Sequence, residues 1–247
     1  KVLITGGLGF LGSNLAHMLV KNDAKVTIID SLDTRYGGNS FNVNDIKDKI
    51  KLIVADVCSL KQIKPLVEDS EIIFHFAAQV SYIDSLSDPL FDLDKNSVST
   101  LHILQIASKM HCKPKIIFSS SRMVLGMIKG GIIKENLHPK PVSLYGIHKL
   151  LSEEYLKLYY KEFKIPYVIL RITNPYGIRQ QIKHNKYSLI GWFIRMAMDD
   201  QKIKIFGDGK QKRCFSYIDD CLSCLIPMLD QKNLNKQIIN IGPDEEF

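Results

Sequence analysis

Tyr145 and Lys149 stand four residues apart in Tyr145-Gly146-Ile147-His148-Lys149, a spacing that puts a phenol and an ammonium on one face of a helix. An unperturbed tyrosine, with a pKa of about 10, is a poor base at neutral pH. A lysine ammonium beside it favours the phenolate, as would the positive ring of an oxidised nicotinamide, so the chemistry this pair could do is proton abstraction from an alcohol. Ser119-Ser120-Ser121 follows the apolar run Lys115 to Phe118, which places these hydroxyls at the carboxyl end of a strand, where open α/β sheets bind ligands. One of them can share the reacting oxygen with the tyrosine. Near the start, Gly7, Gly9 and Gly12 satisfy G-x-G-x-x-G within Thr5-Gly6-Gly7-Leu8-Gly9-Phe10-Leu11-Gly12. Such glycines let the backbone approach a pyrophosphate at a helix N-terminus. Asp30 falls about 20 residues further on, where an acid accepts hydrogen bonds from the adenosine ribose and repels a 2′-phosphate. The spacing therefore predicts NAD, with Arg35 leaving NADP as the alternative.

These groups need strands and helices in a fixed order. Val2 to Thr5 reads as a strand and Phe10 to Lys21, with Leu11, Leu15 and Leu19 at helical spacing, as a helix. Lys25 to Ile29, Lys51 to Ala55, Ile72 to Phe76, Lys115 to Ser119 and Tyr167 to Leu170 are further short apolar runs, each followed by helical periodicity. That alternation predicts an α/β fold, a Rossmann-type doubly wound parallel sheet with helices on both faces. Ser143 to Phe163 reads as the helix of the Tyr/Lys pair, and Asp30 to Asn44 as a long loop. Residues 1–172 form the expected dinucleotide-binding and catalytic domain. Residues 173–247 form a smaller substrate-binding region interleaved with it, holding a helix at Leu189 to Met198, a turn at Gly207-Asp208-Gly209 and a strand at Ile238 to Ile241. The sequence stops at Phe247 with no closing helix, so this region reads as truncated.

Composition narrows the class. The 247 residues are 45% hydrophobic and 24% charged, as in ordinary globular chains, which excludes disordered and disulfide-scaffold proteins. No apolar run approaches the ~20 residues of a membrane span, and the start lacks a signal-peptide pattern, so the expected location is cytoplasmic with no membrane partner. The net charge of +7 is scattered rather than clustered; it fits a small anionic substrate and gives no nucleic-acid footprint. Cys58, Cys112, Cys214, Cys221 and Cys224 are expected as free thiols. Cys221 and Cys224 form a lone C-x-x-C without further ligands, so one helix face rather than a metal site is expected. His75 ends a strand and has no partner spaced to make it a ligand or catalyst; a strand-end or cofactor-lining position suits it.

Thr5 to Gly12, Asp30, Asp56-Val57, His75-Phe76-Ala77-Ala78, Ser119 to Ser121, Tyr145 to Lys149, Leu170 to Gly177 and Phe206 to Asp220 together resemble the extended short-chain dehydrogenase/reductase family, specifically its nucleotide-sugar epimerases and dehydratases. The resemblance spans nearly the whole chain. It implies Ser121, Tyr145 and Lys149 as the catalytic triad. It implies NAD bound by Gly6, Gly9, Phe10, Leu11, Gly12, Asp30, Asp56, Val57, Phe76, Ala77 and Ala78, with Tyr145 and Lys149 at the nicotinamide end. Asn174 and Arg213 are implied as contacts of the substrate's nucleotide diphosphate, beside Ser121. The resemblance further implies a homodimer formed by helices at Asp92 to Met110 and Ser143 to Phe163. Dehydratases and decarboxylases of this kind carry an acid just after the catalytic hydroxyl, whereas Arg122 and Met123 follow Ser121 here. Leu125 and Cys214 also depart from the usual Tyr and Asp. The expected activity is C4 epimerisation of a UDP-hexose through a transient 4-keto sugar. The alternatives are a CDP-sugar 2-epimerase, a dehydratase, dehydrogenase or reductase of the same fold, and a catalytically silent NAD-binding protein.

Overall fold

The computed structural model describes residues 1–128, 131–186, 188–205, 207–229 and 234–243; Phe206 and the terminal Asp244 to Phe247 lie outside the described residues. Strand β1 (Val2–Thr5) leads through α1 (Phe10–Lys21) into β2 (Val26–Asp30), and β3 (Ile50–Val54), α2 (Leu60–Glu68) and β4 (Ile72–His75) follow. The short helices α3 (Asp84–Ser87) and α4 (Pro89–Leu93) continue through a π turn at Asp94–Val98 into α5 (Ser99–Lys109). Next come β5 (Lys115–Ser121), α6 (Leu144–Phe163) and β6 (Tyr167–Ile172). The remainder holds β7 (Pro175–Tyr176), α7 (Leu189–Met198), β8 (Ser216–Tyr217), α8 (Ile218–Ser223), α9 (Leu225–Met228) and β9 (Gln237–Ile241).

The main sheet runs β3-β2-β1-β4-β5-β6-β9, with every neighbouring pair parallel. Val2 and Ile4 of β1 point into a core shared with Leu15 and Leu19 of α1 and Leu222 of α8. Leu3, between them, points into a second core with Ile63 of α2, Ile103 of α5 and Leu156 of α6. Because both faces are covered, strands read as continuous apolar runs rather than alternating ones. This is the expected Rossmann-type sheet. β9 returns from beyond residue 173 to pair with β6, so the later region contributes a strand to the sheet itself.

Three sequence expectations are corrected. Ser119, Ser120 and Ser121 do not follow their strand; they are its last positions, paired with Leu170, Arg171 and Ile172 of β6. The hydroxyls are tolerated there because they have partners: Ser120 Oγ donates to Glu153 Oε1 at 2.5 Å and Ser119 Oγ to the His75 carbonyl at 3.3 Å. The stretch Asp30 to Asn44 is not a plain loop, since 3-10 turns form at Thr34–Tyr36 and from Ser40, capped by the side chains of Asp33 and Asn39. Its Asn and Asp residues are caps, which composition alone does not separate from loop residues. The helix foreseen from Asp92 begins instead at Pro89, with Asp88 accepting from the Phe91 amide at 3.1 Å.

Helix α6 starts where Ser143 Oγ accepts the Gly146 amide at 3.1 Å and ends at Lys164 in the left-handed region. All five cysteines are free, and Cys221 is buried in α8 with Cys224 directly after it. No helix among the described residues is long and apolar enough to cross a membrane.

Candidate functional site

The strand order reverses about β1, whose two neighbours are β2 and β4. At such a switch point the loops at the carboxyl ends of the strands part and leave a crevice. Here the crevice is a cavity of about 540 Å³. Gly6, Gly9, Phe10, Leu11 and Gly12 line it from the β1–α1 turn, Asp30, Asp56 and Val57 from the ends of β2 and β3, and Phe76, Ala77 and Ala78 from beyond β4. Ser121, Tyr145, Lys149, Asn174 and Arg213 line the same cavity. The structure thus brings together the residues that the family resemblance implied for cofactor, catalysis and substrate.

The glycine pattern that matters is shifted by one position from the G-x-G-x-x-G spacing. Gly7 does not line the cavity, and a Cβ there would meet the Ile28 side chain at 2.5 Å in the core. Gly6 has φ +70°, and a Cβ on Gly12 would lie 2.3 Å from the Gly6 carbonyl oxygen. Those two positions hold the turn flat against the start of α1, whose N-cap Gly9 carries no side chain to fill the space. The result is a bare cradle at a helix N-terminus, suited to a pyrophosphate.

Asp30 is fixed by the Leu8 amide at 2.9 Å and the Leu32 amide at 2.8 Å. Burial pushes its carboxyl above the usual range while those two amides pull it back. The carboxyl of Asp56 is also pushed up by burial, but hydrogen bonds from Lys95 and from the Cys58 amide outweigh this and hold it below the ordinary value. Two carboxylates held at neighbouring strand ends, beside a glycine cradle, fit the ribose and adenine end of NAD.

On the β5 side of the crevice, Ser121 and Tyr145 line the cavity together. Lys149 Nζ donates to the Ser119 carbonyl at 3.0 Å and lies 5.9 Å from the centre of the Tyr145 ring. Burial pushes the Tyr145 phenol up, against the lowering hydrogen bond from Ser121, with Asp92 adding to the rise. In the protein alone burial thus holds the phenol above its ordinary value; the expectation of a lowered phenol joined Lys149 with the positive nicotinamide ring. Burial also pulls Lys149 down to about 8, with the Asp92 charge opposing.

The Lys149 value has a measurable sign. Its folded pKa of about 8 lies below the unfolded 10.5, so above pH 8 the unfolded chain binds the additional proton and stability rises with pH. Between pH 8 and 9 the thiols of Cys58, Cys221 and Cys224, all raised by burial, already oppose this as their unfolded counterparts ionise, so the sign is read by difference: Lys149→Met is expected to make the pH slope of the urea midpoint less positive than in wild type. An equal pH slope in the two proteins would contradict a desolvated lysine.

Asn174, with φ +38°, donates Nδ2 to the Cys214 carbonyl at 2.9 Å, and β7 pairs with β8 immediately beyond. It therefore fastens the segment that carries Arg213 to the cavity rim. His75 is buried at the end of β4, with Nδ1 2.8 Å from Thr5 Oγ1. Burial, with the Lys149 charge, holds it down at about 3, so it is neutral. Of its two foreseen positions it occupies the strand end, outside the cavity lining. Lys95, which lines the cavity and grips Asp56 across 39 positions of sequence, was not foreseen. No short-range spacing marks so distant a pair.

The chain is 35% identical over 99% of its length, and 77% of the relative's, to a protein of Methanocaldococcus jannaschii provisionally named a UDP-glucose 4-epimerase. Among solved structures it matches the UDP-N-acetylglucosamine 4-epimerase of Methanobrevibacter ruminantium M1 with TM-score 0.92 and 30% identity, covering all of this chain and 77% of that one. It matches the UDP-glucuronic acid 4-epimerase of Bacillus cereus, in complex with UDP-glucuronic acid and NAD, with TM-score 0.88 and 33% identity, covering all of this chain and 79% of that one. The NAD dependent epimerase/dehydratase family matches residues 2–242. With the glycine cradle, the strand-end carboxylates, the half-buried Ser121 and the buried Tyr145 and Lys149 in a single cavity, the chain belongs to that NAD-dependent family of nucleotide-sugar enzymes.

Proposed function

We propose that the protein is a nucleotide-sugar epimerase acting at C4 of a UDP-hexose. The observation that carries this reading is the cluster of Ser121, Tyr145 and Lys149 followed by Arg122 and Met123, so that alcohol oxidation is provided for and a neighbouring acid is not. Gly6, Gly9, Gly12 and the start of α1 hold the pyrophosphate of NAD, flanked by Phe10 and Leu11. Asp30 takes the adenosine ribose, Asp56 and Val57 border the adenine, and Phe76, Ala77 and Ala78 back the middle of the cofactor. Bound NAD supplies the hydride acceptor for C4 and, afterwards, the donor.

Tyr145 takes the proton of the sugar hydroxyl and later returns it, while Ser121 hydrogen-bonds the same oxygen. Positive charge brought close to the phenol offsets the desolvation that otherwise keeps it protonated. Lys149, anchored by the Ser119 carbonyl, stays within reach of the phenol and the nicotinamide ribose. Arg213, held through the Asn174 bond to Cys214, and Asn174 itself keep the diphosphate fixed while the ketone turns its other face. The reading includes a homodimer through α5 and α6, where Leu151 and Tyr155 are half-buried and Leu158 is exposed.

The test is incubation of the full chain with NAD and a panel of UDP-, dTDP-, CDP- and GDP-sugars, followed by proton NMR and NADH absorbance. A stereoisomer formed without accumulating NADH is expected. Net NADH would make it a dehydrogenase, and loss of water a dehydratase.

A further inference from the structure

Arg179 adopts φ +66°, in the left-handed region that a residue with a Cβ enters only at a cost. Two hydrogen bonds of its side chain hold it there. Nη1 donates to Asn14 Oδ1 at 2.8 Å and Nε to the Asn42 carbonyl at 3.1 Å. Both asparagines are buried, and both are fastened to the cofactor turn. Asn14 Nδ2 donates to the Phe10 carbonyl at 2.8 Å, and Asn42 Nδ2 to the Leu8 carbonyl at 2.9 Å. Those two carbonyls flank Gly9, the N-cap of α1. One guanidinium therefore ties the chain beyond β7 to the pyrophosphate cradle from both sides.

Arg179 does not itself line the cavity, whereas Asn174, Pro175, Tyr176, Gln180 and Gln181 on either side of it do. The two sides of this joint differ in rigidity. The cradle is held without Arg179: Leu15 and Leu19 anchor α1 in the core, Gly12 packs on the Gly6 carbonyl, and Asp30 takes the Leu8 amide. The opposite wall, residues 177–188, has neither helix nor strand among its described residues. Its other ties, Gln181 to the Thr34 carbonyl at 2.7 Å and Lys186 to Asp84 at 2.8 Å, lead to neighbouring turns and not to the cradle. When the Arg179 bonds are cut, it is the wall that shifts.

Resting on the assignment above of this wall to the nucleotide sugar, we propose that Arg179 is a positioning residue: it sets the wall against the cofactor turn and so strengthens binding of the nucleotide diphosphate without touching it.

The experiment compares the NAD-loaded full chain as wild type, Arg179→Gly and Arg179→Lys. Glycine adopts φ +66° freely, so relief of strain offsets the bonds lost and the fold is kept. The measurements are bound NAD per chain, the urea midpoint, calorimetric Kd values for UDP, dTDP, CDP and GDP, and kcat and KM for sugars of the tightest-bound nucleotide by proton NMR. In Arg179→Gly, that Kd and KM are expected to rise about 10-fold, the worth of one or two hydrogen bonds. The kcat is expected to stay within threefold, with NAD content and urea midpoint at their wild-type values. Arg179→Lys, which can serve one acceptor but not both, is expected to fall between the two. An unchanged Kd in Arg179→Gly would overturn the inference. NAD content or urea midpoint falling in step with affinity overturns it as well, because Arg179 would then belong to the fold at large. Wild type binding none of the four diphosphates has the same consequence. If the Kd values respond as expected in a chain that converts no sugar, the inference stands and the epimerase reading falls.

Discussion

Tyr145→Phe is expected to lower kcat by about 10²- to 10⁴-fold while the protein keeps its NAD, the range ascribed to one positioned acid–base group. The substitution removes a single oxygen from a buried ring and leaves the packing of α6 intact. What is lost is the phenol proposed above to exchange the substrate proton. The glycine cradle, Asp30 and Asp56 are untouched, so the cofactor content of the purified variant should equal that of wild type. Single-turnover kinetics with absorbance of bound cofactor separates the two effects. A variant within threefold of wild type would remove Tyr145 from the chemistry, and one that lost NAD would make its role structural.

Glu153→Ala is expected to destabilise the fold by about 3–5 kcal/mol, as when one partner of a buried ion pair is removed. Arg171 and Glu153 have side chains 1% and 0% exposed. Arg171 Nη2 donates to Glu153 Oε2 at 2.7 Å and Nε to Oε1 at 3.0 Å, and Ser120 Oγ donates to the same Oε1. Removing the carboxylate leaves a guanidinium buried with, among the described residues, only the Glu135 carbonyl, at 3.3 Å, as a remaining partner. The double variant Glu153→Leu with Arg171→Met, which buries no charge, should recover much of the loss. Urea unfolding of the three proteins tests this, and a single-variant loss below 1 kcal/mol would show that the pair is dispensable. The same knot joins β5, β6 and α6 one turn beyond Lys149 and one residue before Ser121. A relaxed knot therefore also changes the spacing of Ser121 and Tyr145, and a fall in kcat should accompany the loss of stability.

The sequence by itself determined whatever rests on local spacing. Tyr145 and Lys149 share a helix face because helical periodicity is short-ranged. The glycines between β1 and α1 and the acid ending β2 follow from a strand–turn–helix–strand order legible within the first thirty residues. Buried parallel strands read as apolar runs because both sheet faces are covered, which made the Rossmann-type fold readable too. The spacing alone pointed to Gly7 and the family resemblance to Gly6; the packed turn, with Gly12 against the Gly6 carbonyl and Gly7 against Ile28, puts Gly6 at the cavity. Tertiary structure also sets the desolvation that raises the Tyr145 phenol in the protein alone, since desolvation depends on what is packed around it. The grip of Lys95 on Asp56 and the buried knot of Arg171, Glu153 and Ser120 join residues far apart in the chain. Such contacts are set by how the sheet orders its strands and closes its crevice, and no local pattern encodes them.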